Sequence, residues 1–199
     1  MFRISRRVGI FIIIALAALG YTAVRLWAYS GGIPEGFAEA RLQGAVIAQN
    51  VVNLSNDSVS ELEKIDELDK KGDYMQALDL TTKVVSRSRE IREQAVLLSQ
   101  QVEAMTKSLS GIRSVEARQA ALESIANRLA LISRLINYSG YLGQLLETLR
   151  GRFNGVYVSS EDVSAIVAQI NAEVRAINNF NSQAGQAMDR FDKIVEGTE

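Results

Sequence analysis

Apolar residues follow two regimes along this chain. From Val8 to Val24 they form an unbroken run without charge, and from Phe37 onward they recur at alternating three- and four-residue steps. The second spacing keeps one face of an α-helix apolar and predicts helices that share a buried seam. Phe37, Ala40, Gly44, Ile47, Val51 and Leu54 make the first series. Asn56, Asp57 and Ser58 interrupt it, and Ser58 with Glu61 and Ser60 with Glu63 have capping-box spacing. The pattern therefore predicts a helix broken near Asp57, then a shorter one through Leu62, Ile65 and Leu68. Gly72 and Asp73 place a C-cap glycine and an N-cap aspartate back to back.

The next series is the most regular. Ala77, Val84, Ile91, Leu98, Met105 and Ile112 fall seven residues apart, with Thr81, Ser88, Ala95, Val102 and Leu109 on the adjoining core position. Gly111 between Ser110 and Ser114 marks a turn, and Ser114 can cap the helix that follows. That helix is expected to bury Val115, Leu122, Ile125, Leu129, Ile132 and Ile136, then Leu135, Leu142, Leu145 and Leu149. Residues 151–159 read as the longest loop. Ser159 or Ser160, with Glu161 and Asp162 in a first turn that favours acids, starts the last helix. Its seam runs from Val163, Val167 and Ile170 through Val174, Ile177, Asn181 and Ala184 to Met188, Phe191 and Val195. Asn181 in that seam is expected to fix register, as polar residues do in coiled coils.

Four segments, 35–71, 73–110, 114–150 and 160–196, are thus matched at roughly 55 Å of helix each. The fold class is all-α: an elongated antiparallel up-down-up-down four-helix bundle over 37–196, preceded by an N-terminal transmembrane helix. Gly72 and the 151–159 loop form its far tip, away from the N-terminal segment.

Residues 1–30 supply the expected anchor, and residues 31–36 a Gly/Pro hinge. Val8–Ala28 would span about 32 Å as helix, enough for the bilayer core, with Arg25 close enough to one end to snorkel. Trp27 and Tyr29 are residues that favour the interface, and Pro34 after Gly31 and Gly32 ends the segment. Arg3, Arg6 and Arg7 precede the span, so the positive-inside rule places the N-terminus in the cytoplasm and the bulk of the chain outside. A cleaved signal peptide shares this layout, and Ala28-Tyr-Ser30 offers small residues for cleavage. A twin-arginine signal wants an aromatic where Gly9 stands, and a prepilin leader wants a glutamate where Ile14 stands.

Charge and composition narrow the function. Four of the 22 basic residues lie at or before Arg25 and all 23 acidic residues follow it, leaving 18 against 23, a net −5, beyond the anchor. That sign argues against nucleic acid as a partner. The chain has no cysteine and no histidine, so it lacks a thiolate nucleophile, the usual general base and the commonest metal ligand. A non-enzymatic protein without cofactor or metal is expected. The paired carboxylates Glu61/Glu63, Asp66/Glu67/Asp69 and Glu161/Asp162 read as solvated surface, and the Asn53, Asn56 and Asn137 sequons matter only in a eukaryotic secretory pathway.

Lys70-Lys-Gly-Asp-Tyr-Met-Gln-Ala-Leu78 resembles the inter-helix turn of a tetratricopeptide repeat. The resemblance covers that turn once, and solenoids need several stacked repeats, so it implies only a tight αα turn.

The best candidate contact site is the loop bearing Arg150, Arg152, Phe153, Val156 and Tyr157, because arginine and aromatics are enriched at interfaces. Arg3, Arg6, Arg7, Arg25, Trp27 and Tyr29 are the expected membrane-interface residues. A second candidate is a small-molecule pocket among Thr81, Ser88, Tyr138, Ser139, Gly140, Tyr141, Gly143 and Asn171. The expected function is a single-span protein of the cell membrane whose extracytoplasmic bundle is a spacer and docking module within a larger membrane assembly. Its partners would be the membrane and other envelope or membrane proteins, with a homo-oligomer also compatible with the pattern. The alternative is a ligand-binding sensor bundle.

Overall fold

Capping chemistry marks the end of the first helix and the starts of the three that follow. The computed structural model describes residues 33–197, and among them are four helices and no strand: α1 (Glu35–Lys71), α2 (Tyr74–Ser108), α3 (Val115–Phe153) and α4 (Ser160–Glu196). Gly72 adopts φ 75°, and its N–H and that of Asp73 donate to the carbonyls of Asp69 and Leu68, closing α1. One residue later the Asp73 carboxylate accepts from Gln76 N at 3.3 Å and opens α2. Ser114 Oγ accepts from Ala117 N, and Ser159 Oγ from Asp162 N, each at 3.1 Å. Between α2 and α3 lies a short 3-10 turn, Leu109–Gly111.

The helices contain 37, 35, 39 and 37 residues. Successive helices pack side by side along their lengths, α1 on α2, α2 on α3 and α3 on α4. The backbones of α1 and α4 stay further apart, and their seam is closed by large side chains. Phe37 and Phe191 meet with ring centroids 5.2 Å apart, both fully buried. Next to them Arg41 grips Asp192 through two 2.7 Å hydrogen bonds.

The expected break in α1 does not occur; the helix runs unbroken through Asn56, Asp57 and Ser58. Ser58 caps nothing: its hydroxyl donates to Leu54 O at 2.7 Å, one turn back in the same helix. Ser55, Ser58 and Val59 are all buried at helical spacing, and Arg87 of α2 holds Glu61 at 2.5 Å and reaches Asp57 at 4.0 Å. Packing against α2 overrides the local preference for a turn.

The α2 series is buried as expected at Ala77, Val84, Ile91, Leu98, Met105 and Ile112, and so are Thr81, Ser88, Ala95, Val102 and Leu109. The α3 series departs. Val115, Leu122 and Leu129 face outward, 66%, 47% and 51% exposed. Ala117, Ala120, Ala121, Ser124 and Leu131 are buried instead, alongside Ile125 and Ile132. Bulk at this end of the core comes from Phe37 and Phe191, so α3 contributes small residues and approaches α4 closely. Ser124 Oγ even donates across to Ala184 O at 3.0 Å. Asn181, expected in the core, is only half-buried.

Candidate tip contact site

The tip is assembled from two turns that the fold brings together. Helix α3 continues to Phe153, three residues past its expected end, and the loop proper begins at Asn154. Asn154 N donates to Arg150 O and Gly151 O, its side-chain amide donates to Arg150 O at 2.9 Å, and Gly155 takes φ 84° to turn the chain. That left-handed turn suits glycine, which has no Cβ to clash. Val156 N then donates back to Gly151 O, holding Val156 and Tyr157 over the end of the helix.

The five expected contact residues separate into two groups. Val156 and Tyr157 are exposed, Tyr157 by 91%. Phe153 is buried and stacks on Tyr74 of α2, centroids 5.8 Å apart and planes within 23°. Arg152 lies 3.0 Å from Asp69 of α1, and Arg150 sits on the surface 3.9 Å from Glu147. Phe153 and Arg152 therefore knit α1, α2 and α3 together, while Val156 and Tyr157 present apolar surface.

Two members of this surface were not anticipated as site residues. Tyr74 is 48% exposed on one face while its ring backs Phe153, and Met75 is 84% exposed beside it. The signal for both was the Gly72-Asp73 turn, which forces the next residues onto the tip. Beneath them a narrow cleft between α1, α3 and α4 is lined by Ile65, Leu145, Leu149, Val163 and Val167, with Asp66, Asp69 and Arg152 also on its wall.

The expected mid-core pocket is largely taken up by packing. Thr81, Ser88 and Ser139 hydroxyls donate to carbonyls of their own helices, those of Ala77, Val85 and Ile136. A Cβ at Gly143 would make only an ordinary contact, 3.8 Å from Ser88 Oγ, so the packing of α3 on α2 there does not depend on the glycine. Gly140 points the other way, into open space. Tyr138 is buried, and burial pushes its phenol up to about 12, with the facing Ser55 hydroxyl pulling it partly back.

Near the opposite end, burial and the neighbouring Arg41 push the Arg128 guanidinium down to about 10, so it remains charged at neutral pH. Among the described residues no group of histidine, cysteine or acidic side chains could hold a metal ion. None of their helices is long and apolar enough to cross a membrane. The expected membrane-interface residues Arg3, Arg6, Arg7, Arg25, Trp27 and Tyr29 lie outside the described residues, as does the span between them.

Among the described residues these elements make an all-helical, four-helix fold with an aromatic tip. Compared with protein-family models, curated proteins and solved structures, the chain matches none.

Proposed function

We propose that this chain is a single-span, membrane-anchored envelope protein whose bundle is a spacer that carries a docking tip. It is non-enzymatic, and its partners are other membrane or envelope proteins. The observation that carries the reading is polarity of placement. Pro34, through which the N-terminal segment enters, packs at the Gly111 end of the bundle, whereas the exposed Tyr74, Met75, Val156 and Tyr157 cluster at the other end. Roughly 55 Å of helix separates them. Exposed aromatic and Met side chains on a rigid support are the usual anchors of an interface.

The experiment is cross-linking in native membranes followed by mass spectrometry of the captured partner. Met75→Ser with Tyr157→Ala should abolish capture with helicity unchanged, because both side chains are almost wholly solvated. Capture at the parental level would remove the tip from the proposal. The anchor is tested separately: alkaline carbonate should leave the full chain in the membrane pellet, and a protease added outside should digest the bundle.

A further inference from the structure

Helix α3 has a second apolar stripe on the side opposite the core. Val115, Leu122 and Leu129 recur at seven-residue steps and are about half or more exposed, and Ile136, half-buried against the edge of the core, continues the series. Between them fall Gln119, Ala126, Ser133 and Gly140, all exposed, giving the four-three alternation of a helix-packing seam over about 38 Å. No charge interrupts it. The acids and bases at its margins are already engaged within the chain, Glu123 with Arg190 and Arg134 with Glu173.

We propose that this stripe pairs with the same stripe of a second copy, antiparallel about a two-fold axis between Asn127 and Arg128. The argument for a second copy is size. About that axis Leu122 faces Ser133 and Leu129 faces Ala126, while Val115 faces Gly140 and Ile136 faces Gln119. A larger apolar residue meets a smaller or unbranched one in every layer, which lets two helices approach evenly. A parallel pair would set Leu122 on Leu122 and Gly140 on Gly140, alternating wide and narrow layers. An uncharged stripe also avoids the like-charge repulsion that a self-complementary interface otherwise risks.

The footprint, about 38 by 10 Å per copy, buries on the order of 800 Å² in total, below the roughly 1,200 Å² of a stable interface and in the range of a weak, transient one. Confinement of both copies to one membrane raises their effective concentration. This last point rests on the anchor proposed above; the size match does not. In one membrane the antiparallel pair lies along the surface. Each tip then overhangs its partner by roughly 20 Å, since Phe153 stands thirteen residues beyond Gly140, so Tyr157 stays free.

The parent chain has no cysteine, which makes disulfide trapping clean. Full-length Leu122→Cys and Ser133→Cys variants, differently tagged and co-expressed, should yield a mixed disulfide dimer on mild oxidation of membranes. Leu122→Cys alone should stay monomeric, because antiparallel copies hold those positions about 16 Å apart and a disulfide needs Cα atoms within about 7 Å. Adding Leu129→Glu should abolish the mixed dimer while the helical signal is retained, since Leu129 is half exposed. Self-cross-linking of Leu122→Cys, no cross-link in the mixture, or indifference to Leu129→Glu would each overturn the proposal. None of these results bears on the carbonate and protease tests of the anchor.

Discussion

Replacing Asp192 with asparagine tests how the widest seam of the bundle is closed. Arg41 has a side chain only 8% exposed and is held by Asp192, 28% exposed, through two 2.7 Å bonds. Asparagine removes the compensating charge and one acceptor. The guanidinium cannot shed its proton, and it stays beside the half-buried, like-charged Arg128. Breaking a buried pair in this way costs about 3 to 5 kcal/mol, and Asp192's partial exposure points to about 3. For a chain of this size that is a fall of roughly 6–12 °C in Tm. Arg41→Met is milder, about 1 to 2 kcal/mol, because the apolar stem is kept and the orphaned Asp192 can hydrate. The double variant Arg41→Met/Asp192→Leu should lie within about 1 kcal/mol of the parent, since apolar packing can replace a buried pair. Thermal unfolding of the full chain in mild detergent, followed by circular dichroism, measures all four corners of the cycle. Equal costs for the two single variants, or a double variant that shows their sum, would refute the account.

At the tip, Phe153→Ala should cost about 3 to 5 kcal/mol because it empties a packed site, whereas Tyr157→Ala should change stability by less than about 0.5; calorimetry separates the two. Gly140→Ala should raise stability by about 1 kcal/mol, since its Cβ meets nothing, and Gly111→Ala should lower it, since its Cβ would fall 2.7 Å from Pro34 Cγ; their melting points should move in opposite directions. The raised Tyr138 pKa has a defined sign. The folded state keeps its proton above the unfolded value near 10, so that contribution is whole below pH about 10 and is lost as pH rises towards about 12. Over that window the parent should lose about 2 to 3 kcal/mol more than Tyr138→Phe, and coincident alkaline limbs in the two titrations would contradict it.

The caps show which information is local. Asp73, Ser114 and Ser159 could be read as N-caps and Gly72 as a C-cap because each acts on backbone groups within three or four residues. The α2 seam was legible for a related reason: its apolar residues lie on one face only, so a single orientation buries them. The tip could be located from the turns at both ends of the bundle, but the split between structural Phe153 and exposed Tyr157 could not. Which aromatic is covered depends on Tyr74, far away in sequence.

Sequence by itself determined the helical class, four matched segment lengths, the caps at Gly72, Asp73, Ser114 and Ser159, and a net-acidic domain without histidine or cysteine. Tertiary structure decided three further points. It kept α1 whole across Asn56–Ser58, because burial of Ser55, Ser58 and Val59 outweighs the local turn preference. It chose between two apolar faces of α3, turning Ala117, Ala121 and Ser124 inward because Phe37 and Phe191 already fill that end, and so left Val115, Leu122 and Leu129 outside. It also closed the α1–α4 seam with Arg41 and Asp192, residues 151 positions apart. The physical reason is common to all three: periodicity specifies that a face will be buried, while the volume and charge supplied by other helices specify which face, and against what.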